Sequence, residues 1–113
     1  MKGLQPVDAM LLGALAALVQ TASAQDAPDL ARGEAVFGYW CAPCHAAGPG
    51  HPGTQSLQIK YRDSLPAVLE EREDLTAEAV KVFVRQGILS MAPFRKTEIT
   101  DAELEDLAAY LSK

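Results

Sequence analysis

The sequence predicts a small all-α domain, because its helix signals are clear and its strand signals are not convincing. The clearest helix signal lies near the C-terminus, where Thr100 and Glu103 form a capping box ahead of leucines at helical spacing. We find no convincing run of alternating apolar and polar residues, the pattern typical of a half-buried strand. A chain of 113 residues allows one domain, because a core of this size does not divide into independently folding halves.

The first predicted helix runs from about Leu30 to Cys44. Apolar positions such as Phe37 and Trp40 recur at helical spacing and lead into the first cysteine. The following segment, residues 46–55, is rich in glycine and proline and is therefore predicted to be a loop. We therefore expect the cysteine-containing end of the first helix to lie directly before this loop.

Two helices are predicted in the middle of the chain. A short one covers about Tyr61 to Glu71, with Pro66 near its start. The next follows the N-cap residue Thr76 and ends before Gly87, which suits the position after a helix C-terminus. Its inner face is predicted to consist of Val80, Phe83 and Val84.

The last predicted helix has one apolar and one charged face. The apolar face comprises Leu104, Leu107, Ala108 and Leu111, with Tyr110 beside them. The charged face comprises Asp101, Glu103, Glu105 and Asp106. Acidic residues early in the helix and Lys113 at its end complement the helix dipole.

Residues 1–24 have the pattern of a secretory signal peptide. Lys2 precedes an apolar run from Met10 to Val19, and the small residues ending at Ala24 form an A-x-A cleavage pattern. The apolar run is too short to span a bilayer, although an N-terminal anchor or a buried helix is the alternative. We therefore expect cleavage after Ala24, export to the periplasm, and a mature domain at residues 25–113 with no stable membrane insertion.

Composition and charge exclude two broad classes of protein. Because 49% of the residues are hydrophobic, the chain is not intrinsically disordered. The net charge of −5 argues against a nucleic-acid partner, since such binding needs a basic patch. Only 6% of the residues are aromatic, and small domains often need a disulfide, a metal or a cofactor to be stable.

Cys41, Cys44 and His45 have the C-x-x-C-H spacing that is the attachment signature of c-type haem. Two thiols at this spacing can form thioethers with the vinyl groups of a porphyrin, and the adjacent imidazole can bind the iron. Zinc is the alternative metal, but it would want four ligands, and the chain offers no second cysteine pair and only one other histidine, His51. A thioredoxin-like dithiol would be expected beside a β-α-β pattern, which the sequence lacks. We therefore predict one haem c, attached through both cysteines.

Met91 is the predicted sixth ligand of the iron. It is the only methionine left after signal cleavage, and it lies in a loop bracketed by Gly87 and Pro93. The alternative for a lone methionine is a gap-filling place in the core. His51 is the competing ligand, but it lies so soon after His45 that we interpret it as solvated.

These residues resemble a class I mono-haem bacterial cytochrome c across nearly all of residues 25–113. The resemblance rests on Gly33, Phe37, Cys41, Cys44, His45, Met91, Pro93 and the segment 107–111. It implies that the N-terminal and C-terminal helices cross and wrap around the haem. Gly33 should admit Tyr110, and Phe37 should pack on Leu107. One departure is Ala92, which separates Met91 from the proline that usually follows the ligand directly.

The same resemblance implies further haem contacts. A loop proline should accept a hydrogen bond from the Nδ1 atom of His45, and Pro52 is favoured over Pro49. Trp40 and Arg62 are candidate donors to the haem propionates, which are anions that need hydrogen bonds. The alternatives are a core role for Trp40 and a surface charge for Arg62.

The resemblance implies an electron carrier and not an enzyme. The stretch from His51 to Phe94 is similar to small periplasmic cytochromes that serve dehydrogenases, such as the cytochrome subunit of 4-cresol-type methylhydroxylases. It implies a redox partner, with a flavin-dependent or other dehydrogenase as the electron donor. The alternatives are a general respiratory carrier to a terminal oxidase, and a haem sensor or enzyme with an open distal site.

Overall fold

The computed structural model describes residues 26–113, so the predicted signal peptide lies outside the described residues. The helices are α1 (Leu30–Val36), a π-helix (Phe37–Cys41), α2 (Ala42–His45), α3 (Pro52–Tyr61), a 3₁₀ turn (Leu69–Glu71), α4 (Ala77–Gln86) and α5 (Asp101–Leu111). Across residues 26–113 the single β-type pairing is an isolated bridge between Ile88 and Met91. The prediction of an all-α fold is confirmed. Within the described part of the chain, no helix is long and apolar enough to cross a membrane.

Helices α1 and α5 cross at very close range, as the resemblance implied. A Cβ atom built on Gly33 would overlap the backbone carbonyl of Asp106 and would lie 2.8 Å from the Cβ of Tyr110. The Tyr110 ring lies beside Phe37, with 6.0 Å between ring centroids. Phe37 and Leu107 belong to the same buried cluster. Only a residue without a side chain allows this approach of two backbones.

Asp106 fastens the start of α1 to α5. Its carboxylate accepts a hydrogen bond of 2.8 Å from the backbone N–H of Asp29 and pairs with the Arg32 guanidinium. Burial alone would raise the pKa of Asp106, but the hydrogen bonds from Arg32 and the Asp29 amide outweigh it and lower this pKa. Asp106, predicted on the charged face of α5, is therefore a buried ion-pair partner at the helix crossing.

The core lies where α1, the π-helix, α4 and α5 meet. Its buried members are Val36, Phe37, Cys41, Val80, Val84, Ile99, Leu104, Leu107, Ala108 and Leu111. Val80 and Val84 therefore lie on the inner face of α4 as predicted, but Phe83 is 41% exposed and does not. Since Phe83 directly precedes Val84 in the helix, it is turned away from the α5 side by about 100°.

The prediction of a helix at residues 61–71 is wrong, and the sequence pattern does not predict α3. Residues 62 and 63 take left-handed φ values of 51° and 53°, which end a helix, and only a 3₁₀ turn forms after Pro66. The glycine and proline content of residues 46–55 predicts a loop, but Pro52 occupies the first turn of α3, a position that suits proline. With Thr54 as its only buried residue, α3 has no apolar stripe that could predict it.

The predicted caps of the last two helices are confirmed. Thr76 accepts a hydrogen bond of 3.1 Å from the backbone N–H of Ala79 at the start of α4. Thr100 and Glu103 form both hydrogen bonds of a capping box at the start of α5. These contacts are local, so a sequence pattern is enough to predict them.

Candidate functional site

A π-helix carries the chain from α1 into the C-x-x-C-H segment. Cys41 ends this π-helix and is buried, whereas Cys44 in α2 is exposed. Both thiols are free of disulfide bonding in the described chain. Burial, and to a lesser degree the nearby Cys44, raises the pKa of Cys41 to about 11. The two thiols therefore stand on successive turns, one facing the core and one facing outward.

His45 closes α2 with its imidazole half-buried. Burial lowers the pKa of His45 and so favours the neutral ring, the form that can bind a metal. Its Nδ1 atom is buried and has no hydrogen-bond partner among the described residues. The predicted bond to Pro52 is not formed among these residues, and the Pro52 carbonyl accepts a hydrogen bond of 2.9 Å from the Ser56 hydroxyl.

Residues 51–54, here called the HPGT segment, pack directly on the residues around His45. A Cβ on Gly53 would lie 2.6 Å from the His45 Cε1 atom. The Thr54 hydroxyl donates to the Ala46 carbonyl at 2.8 Å. The His51 Nδ1 group lies 3.1 Å from the carbonyl oxygen of Pro43 and donates to it. His51 is only partly buried, and this hydrogen bond is exposed, so His51 combines contact with solvent with contact to Pro43.

Met91 lies in a tight turn that starts at Ile88. The Ile88 N–H donates to the Met91 carbonyl at 3.0 Å, and the Met91 N–H donates back at 2.9 Å. Gly87 precedes the turn with a φ of 67°, and a Cβ there would overlap the Met91 carbonyl. Leu89 at the tip has a φ of 52° and is 99% exposed. These contacts fix the backbone of the Met91 turn, and the Met91 side chain is half-buried.

An aromatic contact joins the Met91 turn to the π-helix. The rings of Trp40 and Phe94 meet edge to face, with 5.7 Å between their centroids. Phe94 is held in turn by α4, since its N–H donates to the Val84 carbonyl at 2.8 Å and its carbonyl accepts from Arg85 at 3.2 Å. In this structure Trp40 therefore packs against other side chains, which is the alternative that the sequence offered to a role as a propionate donor. The tertiary fold thus brings the cysteine segment and the Met91 segment, which are far apart in sequence, together at the contact between Trp40 and Phe94.

Of the two arginines near α3, only Arg72 is buried. Arg62 is exposed and forms the C-cap of α3, so the structure gives it no contact with the other site residues. Arg72 binds both carboxylate oxygens of Asp74 at 2.5 Å, and its guanidinium lies 4.9 Å from the centroid of the Tyr61 ring. No periodic pattern predicts Arg72 as a buried residue, because it lies in a run of acidic residues that looks solvated.

The donor set fits a covalently attached haem. It comprises two free thiols at the attachment spacing, a neutral half-buried imidazole directly after them, and a thioether sulfur on a fixed turn. The described residues contain no group of three or more His, Cys, Asp or Glu side chains that could hold a metal ion.

Residues 28–111 match the model of a protein family described as cytochrome c oxidase, cbb3-type, subunit III. The chain belongs to this family of c-type cytochromes. It is also similar to cytochrome c6 of Cyanidioschyzon merolae, with 33% identity over 85 residues, which are 75% of this chain and 74% of that protein. Cytochrome c6 of Synechocystis sp. is 33% identical over 102 residues, covering 90% of this chain and 77% of the relative. Cytochrome c6 of Thermosynechococcus vestitus is 33% identical over 98 residues, with 87% and 81% covered.

As a class I c-type cytochrome, the chain carries one covalently bound haem c and functions in electron transfer. When bound, the haem iron supplies one-electron redox chemistry. The cytochrome family and the C-x-x-C-H motif together assign covalent attachment to Cys41 and Cys44.

Proposed function

We propose that this cytochrome is an exported electron carrier that accepts electrons from a dehydrogenase through a haem ligated by His45 and Met91. The observation that carries the ligand assignment is the contact between Trp40 and Phe94, which brings the Met91 turn against the end of the π-helix. Both ligand-bearing segments are also braced by backbone hydrogen bonds. A rigid site suits electron transfer, because neither ligand needs to move when the iron changes its charge.

Each part of the site has a defined task. Cys41 and Cys44 anchor the porphyrin, and His45 binds the iron directly beside the anchor. Met91 provides a sulfur ligand, which raises the reduction potential of the iron. Trp40 and Phe94 join the two segments through the edge-to-face contact of their rings. Arg62 remains our proposed propionate donor, since its exposed guanidinium makes no contact with a carboxylate in the described chain.

Replacement of Met91 tests the proposed ligand set. We expect Met91→Ala to abolish the weak long-wavelength absorption band that a bond between ferric iron and methionine sulfur produces, and to lower the reduction potential. The visible and near-infrared spectrum of the purified haem protein measures the first effect, and a redox titration measures the second. Ser90→Ala, which changes an exposed neighbour in the same turn, should leave both unchanged. An intact band in Met91→Ala would show that another residue ligates the iron.

Export to the periplasm is proposed from the pattern of residues 1–24, which also places the chain where haem c electron carriers can meet periplasmic dehydrogenases. The sequence similarity of the stretch from His51 to Phe94 supports a dehydrogenase as the donor. A second candidate function is electron delivery to a terminal oxidase, and the description of the matched family as an oxidase subunit favours it. The two differ in the partner that identifies them, because only the first needs a dehydrogenase to reduce this chain.

The tip of the Met91 turn is the proposed docking surface for the donor. Leu89 is 99% exposed in a backbone conformation that costs a leucine about 1–2 kcal/mol, although it contributes nothing to the core. Arg95 and Lys96, which follow the turn in sequence, are mostly exposed but are paired with Glu98 and Asp101. Their charges are therefore balanced locally, and the surface is defined by its apolar tip. It fits a donor protein that offers an apolar pocket.

Replacement of Leu89 tests this docking surface. The donor is first identified as the periplasmic fraction that reduces the purified cytochrome when the substrate of a dehydrogenase is added. With that donor, we expect Leu89→Ser to lower kcat/KM for cytochrome reduction about tenfold, as loss of an interface hot spot does. The spectrum and potential should not change. Leu30→Ser, which removes another exposed leucine at the start of α1, is the control. Equal rates for the two variants would place the docking surface elsewhere.

A further inference from the structure

Tyr39 is an aromatic side chain that the fold leaves largely outside the core. It is 74% exposed, more than any other aromatic residue among residues 26–113. It lies in the π-helix Phe37–Cys41, and π-helices are rare and frequently found at functional sites. The ring therefore reaches the protein surface from the same short segment that ends in the first attachment cysteine.

Two further rings continue the Tyr39 ring inward. Tyr39 meets Trp40 edge to face, with 4.9 Å between ring centroids and 81° between ring planes. Trp40 in turn meets Phe94, with 5.7 Å between centroids. Edge-to-face contact is a favourable arrangement of aromatic rings, so the two contacts together hold the half-buried Trp40 ring in place. A row of contacting rings thus runs from the surface to the segment that follows Met91.

Trp40 is also connected to the haem through covalent bonds alone. It directly precedes Cys41, which attaches the porphyrin. Electrons tunnel more readily through bonded atoms and contacting aromatic rings than across open gaps. Cys41 is itself buried, so solvent has little direct access to it. The peptide bond between Cys41 and Trp40, followed by the two contacting rings, is therefore a short connection from a buried attachment point to the surface.

We propose that Trp40 and Tyr39 form an electron-transfer route between the attached haem and the surface of the π-helix. One electron passes between the haem iron and a redox centre outside the chain at Tyr39, so that one centre is oxidised and the other is reduced. No bond forms or breaks and no proton moves, because the rings lower the tunnelling barrier without holding the electron. The route rests on haem attachment through Cys41 and does not depend on ligation by Met91.

A photochemical label measures this route directly. Ala35 is exposed and lines the same surface groove as Tyr39 and Trp40. Ala35→Cys supplies a single reactive thiol, because haem attachment consumes the two native ones. A light flash on a ruthenium polypyridyl complex bound to this thiol sends one electron to the ferric haem, which oxidises the ruthenium and reduces the iron. The change in haem absorbance gives the rate.

We expect Tyr39→Leu to lower this rate several-fold, whereas Tyr39→Phe, which keeps the ring, should retain it. A label at Ser90→Cys, on the exposed turn beside Met91, should give the same rate with either Tyr39 variant. A redox titration checks that the potential, and so the driving force, is unchanged. Equal rates of Tyr39→Leu and Tyr39→Phe from the Ala35→Cys label would overturn the proposal, and so would an equal loss of rate from both labels.

Trp40 supplies a second test, which separates the route from packing. Trp40→Leu keeps an apolar side chain but removes the ring, whereas Trp40→Phe keeps a ring beside Phe94. From the Ala35→Cys label, the rate should fall in Trp40→Leu and stay closer to that of the wild type in Trp40→Phe. A lower melting temperature with an unchanged rate in Trp40→Leu would assign Trp40 to packing alone and overturn its part in the route.

The outcomes separate this proposal from the proposed function. If the wild-type protein lacks the spectrum of a haem ligated by histidine and methionine, the proposed ligand set fails, but the route can still be measured on the attached haem. If that spectrum is present and the Tyr39 and Trp40 variants all keep the wild-type rate, only the route fails.

Discussion

The double variant Cys41→Ala/Cys44→Ala, which cannot attach haem, is expected to be largely unfolded. The protein atoms of the described residues fully bury only two large side chains, Ile99 and Leu107. Large apolar side chains such as Ile59 and Phe83 remain 75% and 41% exposed. A domain of about 90 residues buries only a little more than 60% of its surface and is marginal without a cofactor. Because the folded chain buries the attached porphyrin and the unfolded chain exposes it, the haem adds apolar burial that contributes directly to the stability of the fold.

Far-UV circular dichroism and thermal melting of the purified double variant measure this effect, after its absorbance has shown that no haem is present. Met91→Ala is the control, because it keeps both thioether cysteines and should retain helical signal and a cooperative melt. A compact apoprotein that melts cooperatively would contradict the expectation. It would also mean that the α1–α5 crossing and its buried cluster are sufficient for stability.

Gly33→Ala is expected to destabilise the haem protein by about 3 kcal/mol, the upper part of the range for an overpacked core. The added methyl group would overlap the Asp106 carbonyl and approach the Cβ of Tyr110. These atoms belong to α5 and cannot move aside alone, since Asp106 is bonded to Asp29 and Arg32 at the start of α1. The two helices must separate, and the buried contacts of Phe37 with α5 loosen with them.

Thermal or denaturant unfolding of the haem protein measures this effect, with an expected fall in Tm of about 15 °C for a domain of this size. Gly38→Ala is the matched control, since its methyl group meets no atom within 4 Å. Removing a helical glycine there should leave stability unchanged or raise it by up to about 1 kcal/mol. Equal melting temperatures for the two variants would mean that the crossing has more room than the structure shows.

Features that depend on neighbouring residues were predictable. The capping box at Thr100 and the N-cap at Thr76 are complete within three or four residues, so the pattern alone identifies them. The helix α3 was not predictable, because its residues have no apolar periodicity and its start looks like a loop. The left-handed conformation of Arg62 was equally hidden, since arginine carries no signal for it, although Asp63 is of a type that adopts it more often.

The features of the candidate site also fall into those that the sequence predicts and those that it does not. The C-x-x-C-H spacing and the single remaining methionine identify haem chemistry without any knowledge of the fold, because covalent attachment depends on residue type and short-range spacing. Contacts between distant segments could not be predicted from the sequence. Examples are the contact of the Trp40 ring with Phe94 and the burial of Arg72 against Tyr61. Their formation depends on how whole helices pack, which no local pattern encodes.

By itself, the sequence determined the helical class, the attachment cysteines and the two candidate ligands, because these follow from residue chemistry and local spacing. Tertiary structure decided how His45 is held. The sequence pointed to a hydrogen bond to Pro52, but α3 begins at that proline and turns its carbonyl to Ser56. Gly53 then meets the ring instead. The physical reason is that the direction of a backbone carbonyl is set by the helix that contains it, and the contacts of that helix with the C-x-x-C-H segment join residues that no short sequence pattern links.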